Sequence, residues 1–283
     1  MGYNYPVARI LGTVSSGFVE QVYELSQTFN ASGEYTVPAG KSQIAVLMMG
    51  AGGSGATPTG FERSGYDGGG SGGIVGFKDY NVSGGQAFTV TIGAANAQTN
   101  FGNIATTNSG ATWAGYGVGG AGGSGNGPAG FNVVTGATGG VGKQSANSGT
   151  AESGNAGGSG VTLNMSLTGL GTVSMTTGGA GGGGGGGTDS RAGNNVITGG
   201  TGGAGGTSGG GTGGNGANTN GANYGTSTGS AATSANVRGG GGGGGGGGAT
   251  AFAFDGFEYI LQSSAPGSSG GSGAAGQVVV YVK

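Results

Sequence analysis

The sequence predicts an all-β protein in which short antiparallel strands, arranged like a β-sandwich, combine with a bundle of polyglycine II helices. Three observations predict this class. Glycine supplies 83 of the 283 residues, and proline supplies only 5. Short apolar segments with strand-like patterning alternate with glycine-rich stretches along most of the chain. Within several of those stretches, glycine recurs at every third position.

The strand predictions rest on short apolar runs bounded by glycine, proline or asparagine. The run IAVLMM at residues 44–49 is the most apolar and follows a turn at residues 38–40. Residues 161–177 carry strand patterns on both sides of a turn at residues 168–171, which predicts a β-hairpin. Further strands are predicted at residues 74–82, 86–93, 101–107, 249–254 and 277–282.

The glycine register has a period of three residues. In GSSGGSGAAG, glycine recurs at Gly267, Gly270, Gly273 and Gly276, and GATGGVG and GNAGGSG repeat this spacing. A period of three fits neither an α-helix nor a β-strand, but it is the period of the polyproline II helix. Glycine permits close approach between such helices, and its N–H can donate to a neighbouring carbonyl.

Ten consecutive glycines at residues 239–248 raise two alternatives, a slack linker and a structural element. Ordering a backbone costs about 1–2 kcal/mol per residue. Only a lattice in which nearly every buried backbone group is paired would offset that cost. At a rise of about 3.1 Å per residue the run would span roughly 31 Å. The alternation with patterned strands favours the structural element.

The composition excludes several classes of chemistry. Histidine and cysteine are both missing from the sequence, which removes imidazole catalysis, thiol nucleophiles, disulfides and Cys/His metal sites. With 8 basic and 10 acidic residues, the net charge of −2 is unsuited to nucleic acid. The start MGYNYP lacks the features of a targeting signal, and no apolar run reaches membrane-spanning length. We therefore expect no enzyme, no cofactor, no metal, no nucleic-acid partner and no membrane insertion.

The first thirty residues differ from the rest because they are poor in glycine. Residues 1–30 are predicted to be an N-terminal attachment or oligomerisation segment, and residues 31–283 one glycine-rich domain. The spacing of Phe18, Val22, Leu25 and Phe29 fits a helix, but intervening apolar residues fit a strand equally well. Packing against the body of the protein is the structural alternative for this segment.

Three stretches resemble a known family. SGEYTVPAGKSQIAVLMMGAGGSG at residues 32–55 is similar to the opening of glycine-rich domains in phage tail fibres. Residues 68–95 resemble the following strands of that family, and SGAAGQVVVYVK at residues 272–283 resembles its closing strand. The middle of the chain resembles the polyglycine II sandwich of T-even-like tail-fibre tip adhesins. Residues 1–30 match no attachment domain of that family.

The resemblance implies an extracellular virion protein of the tail or fibre. It also implies contact with other tail-fibre proteins and with a host surface receptor, often as a homotrimer. The receptor would be an outer-membrane protein or a glycan.

Receptor contacts are expected in the segments that join the glycine helices, since loops on a rigid scaffold are free to vary. Aromatic and arginine anchors among Ser, Asn and Gly resemble the chemistry of paratopes. The candidate contacts are Phe61, Glu62, Arg63, Tyr66, Asp67, Trp113, Tyr116, Asp189, Arg191 and Tyr224. The alternatives are a core position for Trp113 and a surface ion pair between Asp189 and Arg191. Core and strand packing is expected for Phe252, Phe254, Phe257 and Tyr259.

The predicted function is therefore that of a tail-fibre or fibre-tip adhesin, which acts without catalysis and gains avidity from repetition on the virion. Two alternatives stay open. A purely structural virion fibre or decoration protein would share the fold and lack a receptor. An ice-binding protein would show a regular array of Thr or Ala side chains on one face.

Overall fold

The computed structural model describes residues 21–58, 64–112, 117–146, 150–190, 197–220, 225–254 and 257–283. Every regular element within these residues is a β-strand. This confirms the predicted all-β class with short antiparallel strands. The strands in chain order are β1 Glu24–Phe29, β2 Gly33–Thr36, β3 Gln43–Met49, β4 Ile74–Asn81, β5 Ala87–Thr91, β6 Thr99–Phe101, β7 Ala105–Thr107, β8 Gly125–Asn126, β9 Asn132–Val134, β10 Thr162–Leu167, β11 Gly171–Thr176, β12 Thr188–Ser190, β13 Asn218–Asn220, β14 Gly225–Ser227, β15 Ala249–Phe254, β16 Tyr259–Ala265 and β17 Gln277–Val282.

Two five-stranded antiparallel sheets form a sandwich at one end of the molecule. Their strand orders are β1-β17-β3-β4-β9 and β2-β5-β6-β7-β8. Apolar side chains from both sheets share one core, in which Phe77 and Val280 of the first sheet meet Tyr35 and Phe101 of the second. The β10–β11 hairpin covers the other face of the first sheet through Leu163 and neighbouring apolar residues. Apolar side chains on both faces of the first sheet thus supply the core that the glycine stretches cannot.

The sequence located about half of these strands correctly. The strands predicted around residues 44–49, 74–82, 86–93, 249–254 and 277–282 are present, as is the β10–β11 hairpin. The single strand predicted at residues 101–107 is wrong. The chain turns there between β6 and β7, and Gly102 adopts a positive φ of 54° that glycine tolerates readily. β8, β9, β12 to β14 and β16 were not predicted.

The N-terminal segment contributes a strand to the sandwich. β1 pairs antiparallel with β17, so residues 24–29 are strand rather than helix. Residues 1–20 lie outside the described residues, and the attachment role of residues 1–30 stays a prediction. Glu24 lies opposite Val282, which pairs with Ile44 at the start of β3. Because β3 runs toward the glycine stretch at its other end, the described chain begins at the edge of the sandwich remote from that stretch.

The glycine-rich stretches hydrogen-bond to one another at intervals of three residues. The backbone N–H groups of Gly241 and Gly244 donate to the carbonyls of Gly179 and Gly182, at 3.0 and 2.9 Å. The same spacing relates most neighbouring segments, whether they run parallel or antiparallel. This is the register expected of packed helices with three residues per turn, and the assignment of the segments to polyglycine II stays a prediction.

Three of these segments, which we call the inner segments, lie at residues 64–73, 177–187 and 239–248. The run at 239–248 bonds to the other two inner segments and to four outer ones, at residues 50–58, 209–217, 228–236 and 266–276. The other two inner segments are likewise surrounded on all sides, by outer segments at residues 50–58, 108–112, 117–124, 135–146, 151–161, 197–206 and 209–217. The ten-glycine run is therefore a central element of a close-packed bundle, as the sequence predicted.

Glycine is required inside this bundle because neighbouring backbones touch. A Cβ placed on Gly243 would overlap the carbonyl oxygen of Thr212, and one on Gly181 would overlap that of Gly242. Every residue from 239 to 248 is buried. The backbones of adjacent segments occupy the space that side chains would otherwise fill. The interior of the bundle is thus held by backbone hydrogen bonds instead of an apolar core.

The bundle has two ends. At the proximal end its segments continue into the sandwich, for example into β3 and β4. At the distal end they continue into β12 to β16. There, β12 pairs parallel with β15, β15 pairs antiparallel with β16, and β13 and β14 form a separate hairpin. Among the described residues, no helix is long and apolar enough to cross a bilayer.

Candidate contact surface at the distal end

The β15–β16 hairpin extends directly from the central glycine run. At its base the side chains are small, and Ala249 and Ala265 form a buried cluster with Ala217. A bulge between Ala251 and Phe252 then shifts the register of the two strands. Beyond that bulge the sequence changes from alanine to large apolar residues, so the hairpin widens as it leaves the bundle.

The end of this hairpin exposes a group of large apolar side chains. We call it the hairpin tip; its members are Phe254, Phe257, Tyr259, Ile260 and Leu261. Phe257 is 95% exposed. The rings of Phe254 and Tyr259, which pair across the two strands, lie 5.1 Å apart between centroids. An exposed patch of this kind, at one extremity of a protein, is typical of an interaction site.

The prediction that these aromatic residues pack in a core is wrong for Phe254, Phe257 and Tyr259, all of which are exposed. The physical reason is the bundle itself. Its interior is filled by backbone, so it offers no apolar cavity to large side chains that follow a glycine run. Phe252, at the bulge, is half-buried.

Tyr66 and Asp67 were expected on an exposed loop, and the structure corrects this. Both belong to the inner segment 64–73 and are buried. The Asp67 carboxylate accepts hydrogen bonds from three backbone N–H groups, those of Gly142 at 2.6 Å, Gly117 at 3.2 Å and Val118 at 3.3 Å. A carboxylate placed this way ties three segments together and has no surface to offer a receptor.

Asp189 is also buried, as part of β12. Its carboxylate accepts a hydrogen bond from the hydroxyl of Thr250 on the neighbouring β15, at 3.3 Å. It therefore supports the base of the hairpin instead of standing on an exposed loop.

The other candidate contacts lie outside the described residues, and for them receptor contact stays a prediction: Phe61, Glu62, Arg63, Trp113, Tyr116, Arg191 and Tyr224. The core position for Trp113 and the ion pair of Arg191 stay open for the same reason. Two described neighbours of these residues lie at the distal end: Pro58 is close to Gly267, just beyond β16, and Ser190, which precedes Arg191, pairs with Ala251 of the hairpin.

A cavity of about 420 Å³ lies at the distal end, next to the β15–β16 hairpin. Its walls are Thr198, residues 218–220 of β13 and residues 225–227 of β14. β14 packs against both β15 and β16, so the cavity and the tip occupy the same end of the molecule. The wall side chains are hydroxyls and amides, which the sequence analysis did not single out because neither charge nor aromaticity marks them.

A cluster of charged and hydroxyl groups lies in the sandwich, at the end of the molecule opposite to the cavity and the hairpin tip. The Tyr23 hydroxyl donates to the Asp79 carboxylate at 3.0 Å, and Lys283 Nζ donates to the same carboxylate at 2.7 Å. Burial raises the pKa of Tyr23, and the hydrogen bond from Lys283 lowers the pKa of Asp79. Among the described residues, no group of three or more acidic side chains could hold a metal ion. This cluster joins β4 to β17 within the sandwich.

Comparison with known proteins gives one family. A search of curated proteins found no match. The family described as a glycine-rich domain matches residues 27–283, which run from within β1 through the bundle and the hairpin to the last residue. The matched range thus includes the sandwich as well as the glycine segments, and this chain belongs to the glycine-rich domain family.

Proposed function

We propose that this protein is a phage virion tail-fibre or fibre-tip adhesin that binds a host surface receptor through its distal end. The observation that carries the proposal is the hairpin tip, where Phe254, Phe257 and Leu261 project large apolar surface from the end of a glycine bundle. Exposed aromatic side chains are the residues that most often dominate binding energy when a partner desolvates them.

The bundle supports this role because it is a rigid scaffold for the hairpin tip. Its segments are joined by backbone hydrogen bonds at intervals of three residues, and the ten-glycine run at residues 239–248 has no side-chain freedom to lose. A contact surface on such a scaffold is preorganised, which lowers the entropy lost on binding. The two ends also have different characters, because one is the two-sheet sandwich and the other carries the exposed apolar tip.

In this proposal the sandwich end faces the virion, where other tail-fibre proteins and further copies of the chain, as a trimer, would be its partners. The tip faces the host, and the receptor is an outer-membrane protein or a glycan. Binding proceeds without catalysis. Several copies on one virion would convert weak individual contacts into strong attachment through avidity.

The test is a pull-down of purified protein on a panel of intact bacterial host strains. The test variant is Phe257→Ala with Leu261→Ala, and the matched control is Leu170→Ala with Val133→Ala, which removes exposed apolar side chains of the sandwich end. We expect the wild type and the control to bind at least one strain and the tip variant to lose most of that binding. Equal binding by both variants would move the contact away from the tip. Failure of the wild type on every strain would favour a purely structural fibre protein.

One observation favours a second candidate, an ice-binding protein. Every third residue along the outer segment 197–206, and the residue just after it, carries a small exposed side chain: Thr198, Thr201, Ala204 and Thr207. This is the regular array of small side chains that the sequence analysis set as the discriminator. A thermal-hysteresis measurement separates the two candidates, because an adhesin gives none, whereas an ice-binding protein would lose its hysteresis on Thr201→Tyr.

A further inference from the structure

We infer that the cavity between residue 198 and the β13–β14 hairpin binds a neutral carbohydrate unit. Its volume of about 420 Å³ lies within the range of small-molecule sites, about 300–1,000 Å³. It lies at the distal end, next to the β15–β16 hairpin, and none of its described wall residues belongs to the hairpin tip. The inference therefore rests on the cavity and is independent of what the tip binds.

The chemistry of the wall selects the ligand class. Thr198, Thr219, Thr226 and Ser227 supply hydroxyls, and the two asparagines of β13 supply amides. None of the described wall residues carries a charge, so against them a phosphate, a carboxylate or an ammonium group would lose hydration without gaining a counter-charge. Each threonine also presents a methyl group. A ligand with many neutral hydroxyls and some C–H surface, which is the description of a sugar, matches this wall.

One of the residues that line the cavity has a polar side-chain atom without a hydrogen-bond partner among the described residues. Thr219 is buried, and its Oγ1 has no hydrogen-bond partner in the part of the chain that the structure describes. Buried polar side-chain atoms are almost always hydrogen-bonded, and an unpaired one is costly. Oγ1 is enclosed as the structure stands, so a sugar hydroxyl would bond to it once the Thr219 side chain rotates toward the cavity, and that bond would remove the cost.

The groups of the wall are already held in position. The backbone of Thr219 exchanges hydrogen bonds with Ile197, at 3.0 and 3.1 Å, and pairs with Thr226 across the hairpin. Asn218 accepts from the Gly199 N–H through its Oδ1 at 2.7 Å, which fixes its amide and leaves the NH₂ group turned to other partners. A site fixed by its own backbone needs little reordering when a ligand enters.

The experiment uses saturation-transfer difference NMR on the full-length protein, with the methyl glycosides of glucose, galactose, mannose and N-acetylglucosamine as probes. We expect saturation transfer to at least one of them. Thr219→Val keeps the shape of the side chain and removes the hydroxyl. We expect it to weaken that binding about tenfold, the effect of one lost hydrogen bond inside a cavity. Thr226→Val should weaken it as well.

The matched control is Thr207→Val, an exposed threonine outside the cavity, which should leave binding unchanged. Thr219→Val should melt at the same temperature as the wild type or higher, because it deletes an unpaired buried hydroxyl. A merely structural hydroxyl would instead lower the melting temperature and leave sugar binding intact.

The inference is overturned if no probe shows transfer with the wild type, or if Thr219→Val and Thr226→Val bind the sugar as the wild type does. Loss of host-cell binding in the hairpin-tip variant, with sugar transfer retained, would leave the cavity site standing and separate it from the adhesin proposal. The reverse pattern would remove the cavity site alone.

Discussion

The carboxylate of Asp67 accepts a 2.6 Å hydrogen bond from the backbone N–H of Gly142 and so joins an inner glycine segment to an outer one. The same carboxylate also accepts from Gly117 and Val118. These are charge-assisted bonds within the bundle, and they occur where the outer segments 117–124 and 135–146 meet the inner one. Here the Asp67 side chain accepts the backbone N–H groups that elsewhere in the bundle donate to backbone carbonyls.

Replacing Asp67 by Ala should lower the free energy of unfolding by about 3 kcal/mol, because three backbone donors lose their charged acceptor in a buried place. Asp67→Asn should cost less, since it keeps one carbonyl oxygen. Urea unfolding followed by circular dichroism measures both. The control Glu34→Ala removes an exposed carboxylate and should stay within about 0.5 kcal/mol of the wild type. An equal, small effect of all three changes would contradict a structural role for Asp67.

Gly243 provides the sharpest test of the close-packed bundle. A Cβ there would overlap the carbonyl oxygen of Thr212, and backbone on all sides cannot move aside. We expect Gly243→Ala to cost about 3 kcal/mol or more, at the upper end of overpacking effects. Gly225→Ala is the matched control, since a Cβ there meets nothing within 4 Å, and it should change stability by less than about 0.5 kcal/mol. A linker-like run would tolerate both substitutions equally.

The sequence was sufficient for the sandwich and for the bundle because both are governed by local repeats. The continuous apolar runs around Val46 and Val280 mark buried strands, and glycine at every third residue marks segments whose backbones touch. The hairpin at Gly102 was missed since a single glycine in an alternating run does not distinguish a bend from a continuous strand. That distinction depends on a positive φ, which pattern alone does not encode.

The candidate site was harder to predict because exposure depends on packing in three dimensions. Asp67 lies among aromatic and charged neighbours in sequence, yet its inner segment is enclosed by six others. Phe257 lies in an apolar stretch of the kind that is typical of a core. It is exposed because this part of the hairpin extends beyond the end of the bundle. The glycine run before it was the available signal, because a bundle filled by backbone leaves large side chains no interior.

The Lys283–Asp79 pair predicts a pH effect. The 2.7 Å hydrogen bond from Lys283 lowers the pKa of the Asp79 carboxyl below its ordinary 3.8. The carboxylate therefore contributes stability above that value, and the contribution is lost as the pH falls through the lowered pKa of the folded state. Because the Asp79 side chain is 47% exposed, the effect should be below about 1 kcal/mol.

Asp79→Asn is a suitable variant, because Asn tolerates the positive φ of 55° at this position. Urea unfolding at about pH 6 and about pH 3 should show a smaller loss of stability on acidification in the variant than in the wild type. Identical losses in the two proteins would mean that the pair contributes nothing to folding.

The two kinds of aromatic residue in this protein should respond in opposite ways to truncation. Phe101 is fully buried and stacks on Phe88 with ring centroids 5.0 Å apart, so Phe101→Ala should destabilise the fold by about 3–5 kcal/mol. Phe257→Ala removes a ring that is already in water and should leave stability within about 0.5 kcal/mol of the wild type. Thermal unfolding measures both. A large loss from Phe257→Ala would show that the exposed ring supports the fold, and the hairpin tip would then no longer be free to act as a contact surface.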